Sequence, residues 1–398
     1  MTIRIGKTLP PAAAPLRFAD ILFGIGGIVS GAKTVGNFEK ELEEFYRVRH
    51  CFAVSSGKSA LVMILQALKR LRPDRDEVII PAYTCYSVPS AIVRAGHRVR
   101  LCDTASGSLD FDFELLARQV ESPRVLCVIA THLFGVPSDV ERVKQLVSPH
   151  GIFVVEDAAQ AMGGGYRGRK LGTLGDVGLF SLGRGKALST VEGGIILTDD
   201  DQIGEVIGNQ LATLPGYGAC GCLKLLLYAL ALSLFIRPWF YWLPKSLPFL
   251  KLGETRFDPS FPIMRLSSFQ AGLARGWQSK IAKFRAVRTG NARKFADQGL
   301  VPAGAPCGTI PDLIRFPVLL ADVEIKRQVL RISESLGLGI SDGYPDTIDD
   351  IEGLVSLSDG NGFPWAHDLV ERLLALPIHP LVRDVDIRNI VRSLGSQG

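Results

Sequence analysis

The chain has 398 residues, 47% hydrophobic and 21% charged, which is enough for two domains and a large core. Its net charge of +5 comes from scattered basic residues and leaves no footprint for nucleic acid. Seven cysteines, from Cys51 to Cys307, have neither zinc-ligand spacing nor a disulfide framework, and "MTIRIGKTLPPAAAPLRFAD" lacks the apolar run of a signal peptide, so reduced thiols in a cytoplasmic protein are expected.

From about residue 50 to 200 the sequence alternates β-rich runs with helical stretches. Strands are predicted at 51–55, 77–81, 98–103, 124–131, 152–157, 177–182 and 193–199. Several are apolar throughout, as in a mostly parallel sheet buried on both faces. Helices such as "SALVMILQALKRL" and "DVERVKQLVSPHG" lie between them, so this is an α/β domain with a central sheet. Ligands of such sheets gather at the carboxyl ends of the strands.

The segment 222–250, "CLKLLLYALALSLFIRPWFYWLPKSLPFL", breaks the pattern. Its apolar core, Leu225 to Ile236, is shorter than the ~20 residues that span a bilayer. It turns at Arg237-Pro238 into Trp239, Phe240, Tyr241 and Trp242. Two readings fit: a membrane-interface hairpin, or a buried helix or oligomer contact. Residues 263–398 carry helical stretches ("SSFQAGLARGWQSKIAKFRAVRTGNARKFADQ", "VEIKRQVLRISESLG", "AHDLVERLLAL") and short strands, "IRFPVLL" among them, and read as a smaller α+β domain. The expected division is an N-terminal arm and entry helix (1–50), a large α/β domain (51–215), a hydrophobic insertion (216–262) and a small C-terminal domain (263–398).

Three places carry chemistry. "SSGKSAL" (55–61) ends like a nucleotide-binding P-loop, but the glycine required five positions before Gly57 is Phe52, which removes that reading. What remains is a helix N-terminus suited to an anion, or a plain serine cap. "IFVVED" followed by "AAQA" puts Asp157 at a strand end and Gln160 one helical turn on. "VGLFSL" followed by "GRGK" puts Ser181 at another strand end and Lys186 in the loop beyond it. A carboxylate, a loop lysine and a phosphate-type helix terminus are the parts needed for pyridoxal phosphate: the lysine forms a Schiff base, and the carboxylate keeps the ring nitrogen protonated. Taken singly, Asp157 could be a helix cap and Lys186 an ordinary loop lysine.

In order and spacing these residues resemble the DegT/DnrJ/EryC1/StrS family, the fold type I sugar aminotransferases that use pyridoxal phosphate. The matching pieces are "NFEKELEEFY" (37–46), "SSGKSAL" (55–61), "EVIIPAYT" (77–84), "THLFGVPSDV" (131–140), "VVEDAAQAMGGGYRGRKLGTLGDVGLFSLGRGK" (154–186), "EGG" (192–194) and "LPIHP" (376–380). The resemblance implies that Lys186 holds the cofactor and shuttles a proton, Asp157 pairs with the ring nitrogen, Gln160 lies near the ring hydroxyl, and Ser181 with Gly57, Lys58 and Ser59 forms the phosphate cup. His132 either lines the pocket or is a hydrogen-bonded structural histidine, and Glu192 supports the loop. The implied reaction moves an amino group from an amino acid, glutamate above all, to a keto-sugar on a nucleotide, for polysaccharide or glycolipid synthesis in a homodimer. Family members with dehydratase activity carry histidine at the lysine position, so Lys186 favours the transferase.

Three departures stand out. Lys58 replaces the family's threonine, and Cys85 replaces the aromatic that stacks on the cofactor, with Tyr86 next in line for that role. "FPIMR" replaces the Gly-x-Asn-x-Arg stretch whose Asn reaches the partner's phosphate: Ile263 stands at the Asn, and only Arg265 matches. Lys58 could compensate with a positive charge from the same subunit. Two other functions remain open: a pyridoxal-phosphate enzyme at the cytoplasmic face of the membrane, contacting it through 222–250 and acting on a lipid-linked or amphiphilic substrate, or a catalytically inactive regulator or scaffold.

Overall fold

The computed structural model describes residues 4–247, 256–306, 308–358, 360 and 362–395. Residues 248–255 of the expected insertion, and Cys307, lie outside them. The other six cysteines are not in disulfides.

Helices α1 (Phe18–Ser30) and α2 (Ala32–Tyr46) precede the sheet. The alternating region forms β1 (His50–Val54), α3 (Gly57–Leu71), β2 (Glu77–Pro81), α4 (Ser87–Arg94), β3 (Arg98–Cys102), α5 (Phe113–Gln119), β4 (Val125–Thr131), α6 (Val140–Val147) and β5 (Phe153–Asp157). A short hairpin, β6 (Gly165–Tyr166) and β7 (Arg169–Lys170), leads to β8 (Val177–Ser181), β9 (Gly194–Thr198) and α7 (Asp201–Thr213). Every predicted strand of this region is present within one residue at each end. The apolar runs are buried along their whole length in β2, β4 and β9, which leaves their backbone groups only neighbouring strands as partners.

The large sheet has eight strands in the order β1-β9-β8-β5-β4-β2-β3-β11, where β11 is Ser356–Leu357 from the C-terminal part of the chain. Pairing is parallel from β8 through β11, and β9 runs antiparallel to both β8 and β1. Helices α3, α4 and α7 bury their apolar faces on one side of it, and α2, α5 and α6 on the other. The two layers leave the carboxyl edge, where β5 and β8 end on Asp157 and Ser181, as the open end.

The apolar segment forms α8 (Ala219–Phe235) and a single turn, α9 (Trp242–Lys245). The long helix expected over 267–298 is broken into α10 (Ser268–Leu273) and α11 (Trp277–Ala296) by Gly276, whose φ of +68° is a left-handed conformation that suits glycine. Beyond lie β10 (Arg315–Leu319), α12 (Val323–Leu336), α13 (Pro364–Arg372), β12 (Leu373–Pro377) and α14 (Asp384–Gly395). Here one expectation fails: "AHDLVERLLAL" is helical only to Arg372. Its fully buried tail, from Leu373 to Leu376, forms β12 with Pro377 and pairs antiparallel with β10, because a run apolar on every side is better buried as a strand than on one helix face.

Candidate active site

Asp157 ends β5, where its backbone carbonyl accepts a hydrogen bond from the His132 amide at 3.0 Å. Its side chain is buried, and one carboxylate oxygen accepts the Ala159 N–H at 3.0 Å. The other makes no hydrogen bond among the described residues. Burial pushes the carboxyl above its ordinary value, while the Ala159 N–H and the charges of Lys186 and His132 work against that. Lys186 follows β8 in the loop before β9. Burial lowers its ammonium, Cys85 and Asp157 raise it, and Arg315 lowers it further. Its Nζ has no hydrogen-bond or ion-pair partner among the described residues. Asp157 and Lys186 therefore stabilise one another's charged forms across the open edge of the sheet.

Gly57 and Ser181, expected to form a phosphate cup, are brought together by close backbone approach. A Cβ on Gly57 would lie 2.9 Å from the Ser181 Cβ, so only glycine lets the first turn of α3 sit against the end of β8. Ser181 Oγ accepts the Gly183 N–H at 3.3 Å. Ser56 caps α3 by accepting the Ser59 N–H at 3.0 Å. The Ser59 hydroxyl is fully buried and turned inward, 3.0 Å from Ser55 Oγ and 2.9 Å from Ser56 Oγ, and donates at 3.4 Å to the Pro262 carbonyl. It is a packing group that ties α3 to the 262–264 segment. The Lys58 ammonium lies 4.1 Å from the centre of the Phe261 ring, in the segment that replaces the Gly-x-Asn-x-Arg stretch. Burial lowers the Lys58 ammonium, and Asp258 and Cys85 oppose the shift. Arg265 is exposed and joins β1 only through its backbone.

Gln160 Oε1 accepts the Phe134 N–H at 3.3 Å, and its Nε2 donates to the Tyr344 hydroxyl at 3.0 Å. The Tyr344 ring is stacked between Phe134, at 6.2 Å, and Tyr86, at 6.5 Å, while Tyr83 meets it edge-on at 5.7 Å. Tyr86 donates weakly to Asp346, at 3.3 Å to its carbonyl. Tyr344 also lies beside the Cys85 thiol. His132 is a structural histidine: it is fully buried, its Nδ1 accepts the Ser138 N–H at 3.0 Å, and its Nε2–H donates to Glu156 at 2.7 Å. Burial alone would raise Glu156, but His132 and the amides of Gly172 and Leu174 more than offset it and hold the carboxyl below its ordinary value. Glu192 accepts from the Tyr217 hydroxyl at 2.6 Å, and its carbonyl accepts from Gln270 at 2.7 Å, a brace between the loop and α10.

Sequence reasoning misses three residues. Arg288, on α11, is buried without a carboxylate and donates to the carbonyls of Lys186 at 3.2 Å and of Ala187 and Ala13 at 3.3 Å. It fixes the lysine loop to the N-terminal arm. Arg315 begins β10; its Nε is buried and unpartnered, and its charge acts on Lys186, Tyr83 and Tyr344. It is the one charge in "LIRFPVLL", which could have flagged it. Tyr344 gave no local signal.

The fold as a whole is shared with solved structures along nearly the full chain. The Helicobacter pylori aminotransferase PseC, involved in pseudoaminic acid biosynthesis, superposes with a TM-score of 0.77 at 18% identity, covering 98% of this chain and 99% of its own. The sugar aminotransferase CalS13 of Micromonospora echinospora gives 0.75 at 19% identity with both chains fully covered. Residues 24–212 match the model of the DegT/DnrJ/EryC1/StrS aminotransferase family. Relatives include GDP-perosamine synthase of Vibrio cholerae, 33% identical over 178 residues (45% of this chain, 48% of the relative). Another is the UDP-N-acetyl-3-dehydro-α-D-glucosamine 3-aminotransferase of Acidithiobacillus ferrooxidans, 34% identical over 199 residues (48% and 52%). The chain thus spans about half the length of the curated relatives it matches.

Proposed function

We propose that this chain is a pyridoxal-phosphate-dependent aminotransferase that moves an amino group from an amino acid, glutamate first, to a keto-sugar carried on a nucleotide, for polysaccharide or glycolipid synthesis. The observation that carries the reading is the pairing of Lys186 with Asp157, each shifting the other's ionisation at the edge of the sheet.

The donor set fits the cofactor. Lys186 offers an ammonium with no partner among the described residues, Asp157 a second carboxylate oxygen without a hydrogen bond among them, Thr84 a buried hydroxyl without a partner, and Gly57 with Ser181 a cup that a Cβ would fill. When bound, the cofactor supplies an electron sink and carries the amino group between the two substrates. Lys186 would hold it and, with its ammonium lowered by burial, take a proton from the substrate carbon and return it. Asp157 would face the ring nitrogen, where its buried carboxylate favours the protonated form. Ser181 and the first amides of α3 would hold the phosphate, aided by the helix dipole. Arg288 keeps the lysine carbonyl fixed, so that the amine moves little between its two tasks. Lys186 itself supports the transferase over a dehydratase, the activity in the name of a Yersinia pseudotuberculosis relative at 28% identity.

The reading includes a homodimer in the cytoplasm, with the 262–264 segment beside Ser55 and Ser59 as the place where a partner would approach. Spectroscopy of the reconstituted protein tests it: wild type should show the absorbance of lysine-bound cofactor, lose it with glutamate, and regain it with a nucleotide-linked keto-sugar from a panel. Lys186→Ala should show none of this. An identical spectrum in the variant overturns the proposal.

A second reading adds the membrane face. Along α8 only Leu225 and Ala229 are buried, although Lys224 is its one charge, which favours an enzyme seated where lipid-linked or amphiphilic substrates are found.

A further inference from the structure

Helices α1 and α8 are remote in sequence but pack on each other and on α10. Glycines seat α1: a Cβ on Gly27 would lie 2.3 Å from the Ser268 carbonyl oxygen, and one on Gly24 would lie 2.7 Å from the Phe269 ring. Ile21 of α1 and Leu225 and Ala229 of α8 join Phe269 and Leu273 in one small core. These contacts use one side of each helix and fix which sides are left over.

The free sides are apolar as well. Phe18, Leu22, Ile25 and Val29 follow i, i+4, i+7, i+11 spacing along α1, and Leu223, Leu227, Leu230 and Leu234 repeat it along α8. All eight are exposed. That spacing makes a single stripe, and a surface helix ordinarily puts polar groups there. Beyond α8, Trp239 and Phe240 are exposed too. The exposed charges on α1 and α8 and at their ends are basic, Arg17, Lys33, Lys224 and Arg237, and Arg275 adds another over the Phe23 ring at 4.6 Å, while the nearby acid Glu334 is paired with Lys245. Asp20 is the sole carboxylate of α1 and α8, and it is buried against Arg17 and Lys280.

We propose that the outer faces of α1 and α8, continued by Trp239 and Phe240, form one docking surface for an anionic phospholipid bilayer. The two helices lie in the plane of the interface. At 1.5 Å per residue they are about 20 and 26 Å long, and no described helix is long and apolar enough to cross. The apolar stripes enter the acyl boundary while the flanking cations meet lipid phosphates. A second copy of this chain fits less well: a two-fold contact would set the basic rim against itself with no exposed carboxylate from either helix to answer it. The surface also adjoins the site. The Thr8 amide donates to the Pro238 carbonyl at 2.7 Å, and Tyr241, one residue beyond the exposed aromatics, feels the guanidinium charges of Arg315 and Arg184. The docked enzyme would therefore hold its site mouth near the lipid headgroups.

This deepens the membrane reading and is separable from the amino-transfer reading. The test is flotation of the full, cofactor-loaded chain with vesicles of phosphatidylcholine alone or mixed with phosphatidylglycerol. Wild type should float with the mixed vesicles, and about tenfold less with phosphatidylcholine alone or in high salt. A variant carrying Leu22→Ser, Val29→Ser, Leu227→Ser and Leu234→Ser should bind about tenfold less, while keeping its melting temperature and its glutamate half-reaction. Wild type left unfloated by the mixed vesicles, or a variant that floats as well as wild type, overturns the proposal. So does a variant whose assembled mass by light scattering falls to half that of wild type, which assigns the face to a second copy. Intact flotation with no half-reaction would instead count against amino transfer alone.

Discussion

Arg288 offers the sharpest test of how this site is held. The residue is 4% exposed, and its guanidinium bonds three backbone carbonyls, on Ala13, Lys186 and Ala187. Burial without a carboxylate pushes it down to about 10. At neutral pH that corresponds to about 3 kcal/mol against the buried cation. Each hydrogen bond from a charged donor returns roughly 1.5–3 kcal/mol, so three of them outweigh the desolvation. Arg288→Met removes the cation and leaves the three carbonyls without it as a donor, and should destabilise the protein by about 3 kcal/mol. Arg288→Lys should fall between, since one ammonium cannot bridge the arm and the loop with the geometry of a guanidinium. Urea unfolding followed by tryptophan fluorescence measures the first effect. Retention of cofactor absorbance after gel filtration measures the second, the loosening of the Lys186 loop. A methionine variant as stable as wild type, with equal cofactor retention, would refute the reasoning.

Two further outcomes follow from the same charges. Arg315 lacks an acidic partner among the described residues, so Arg315→Gln should raise KM for an anionic substrate about 10–100-fold, the loss of one charge-assisted contact. It should also move the alkaline limb of the kcat profile upward, because its charge lowers Lys186; unchanged KM for both substrates and an unchanged profile would exclude it from the site. Burial pushes His379 down to about 4, with its Nε2–H held by the Pro10 carbonyl at 2.8 Å. The unfolded chain therefore takes up a proton that the native state refuses: stability is full above about pH 6.5 and falls by roughly 3 kcal/mol as pH drops to 4. His379→Gln should flatten this acid slope in urea midpoints measured across that range, and an unaltered slope would show that other groups govern it.

The sheet was legible because its strands announce themselves. Runs such as "EVIIP" and "RVLCVIAT" are apolar at successive positions, which local pattern alone converts into buried parallel strands, and the residues after them fall at the carboxyl edge. Asp157, Lys186 and Ser181 were readable for that reason. "AHDLVERLLAL" was not, because its last residues obey a helical pattern and a strand pattern equally, and only the pairing with β10 selects the strand. His132 could be read either way from sequence, and its two buried hydrogen bonds settle it as a structural residue.

By itself, the sequence determined the α/β layering, the placement of Asp157 and Ser181 at two strand ends and the existence of one anomalous apolar segment, since each is written in consecutive residues. Tertiary structure alone decided the rest, because contacts between distant parts of the chain leave no local periodicity. It brought Tyr344 against Gln160, Arg288 under the Lys186 loop and Arg315 into the site. It also turned the Ser59 hydroxyl inward and Lys58 toward Phe261. Finally it laid α1 beside α8, so that two ordinary-looking apolar stretches became one exposed face.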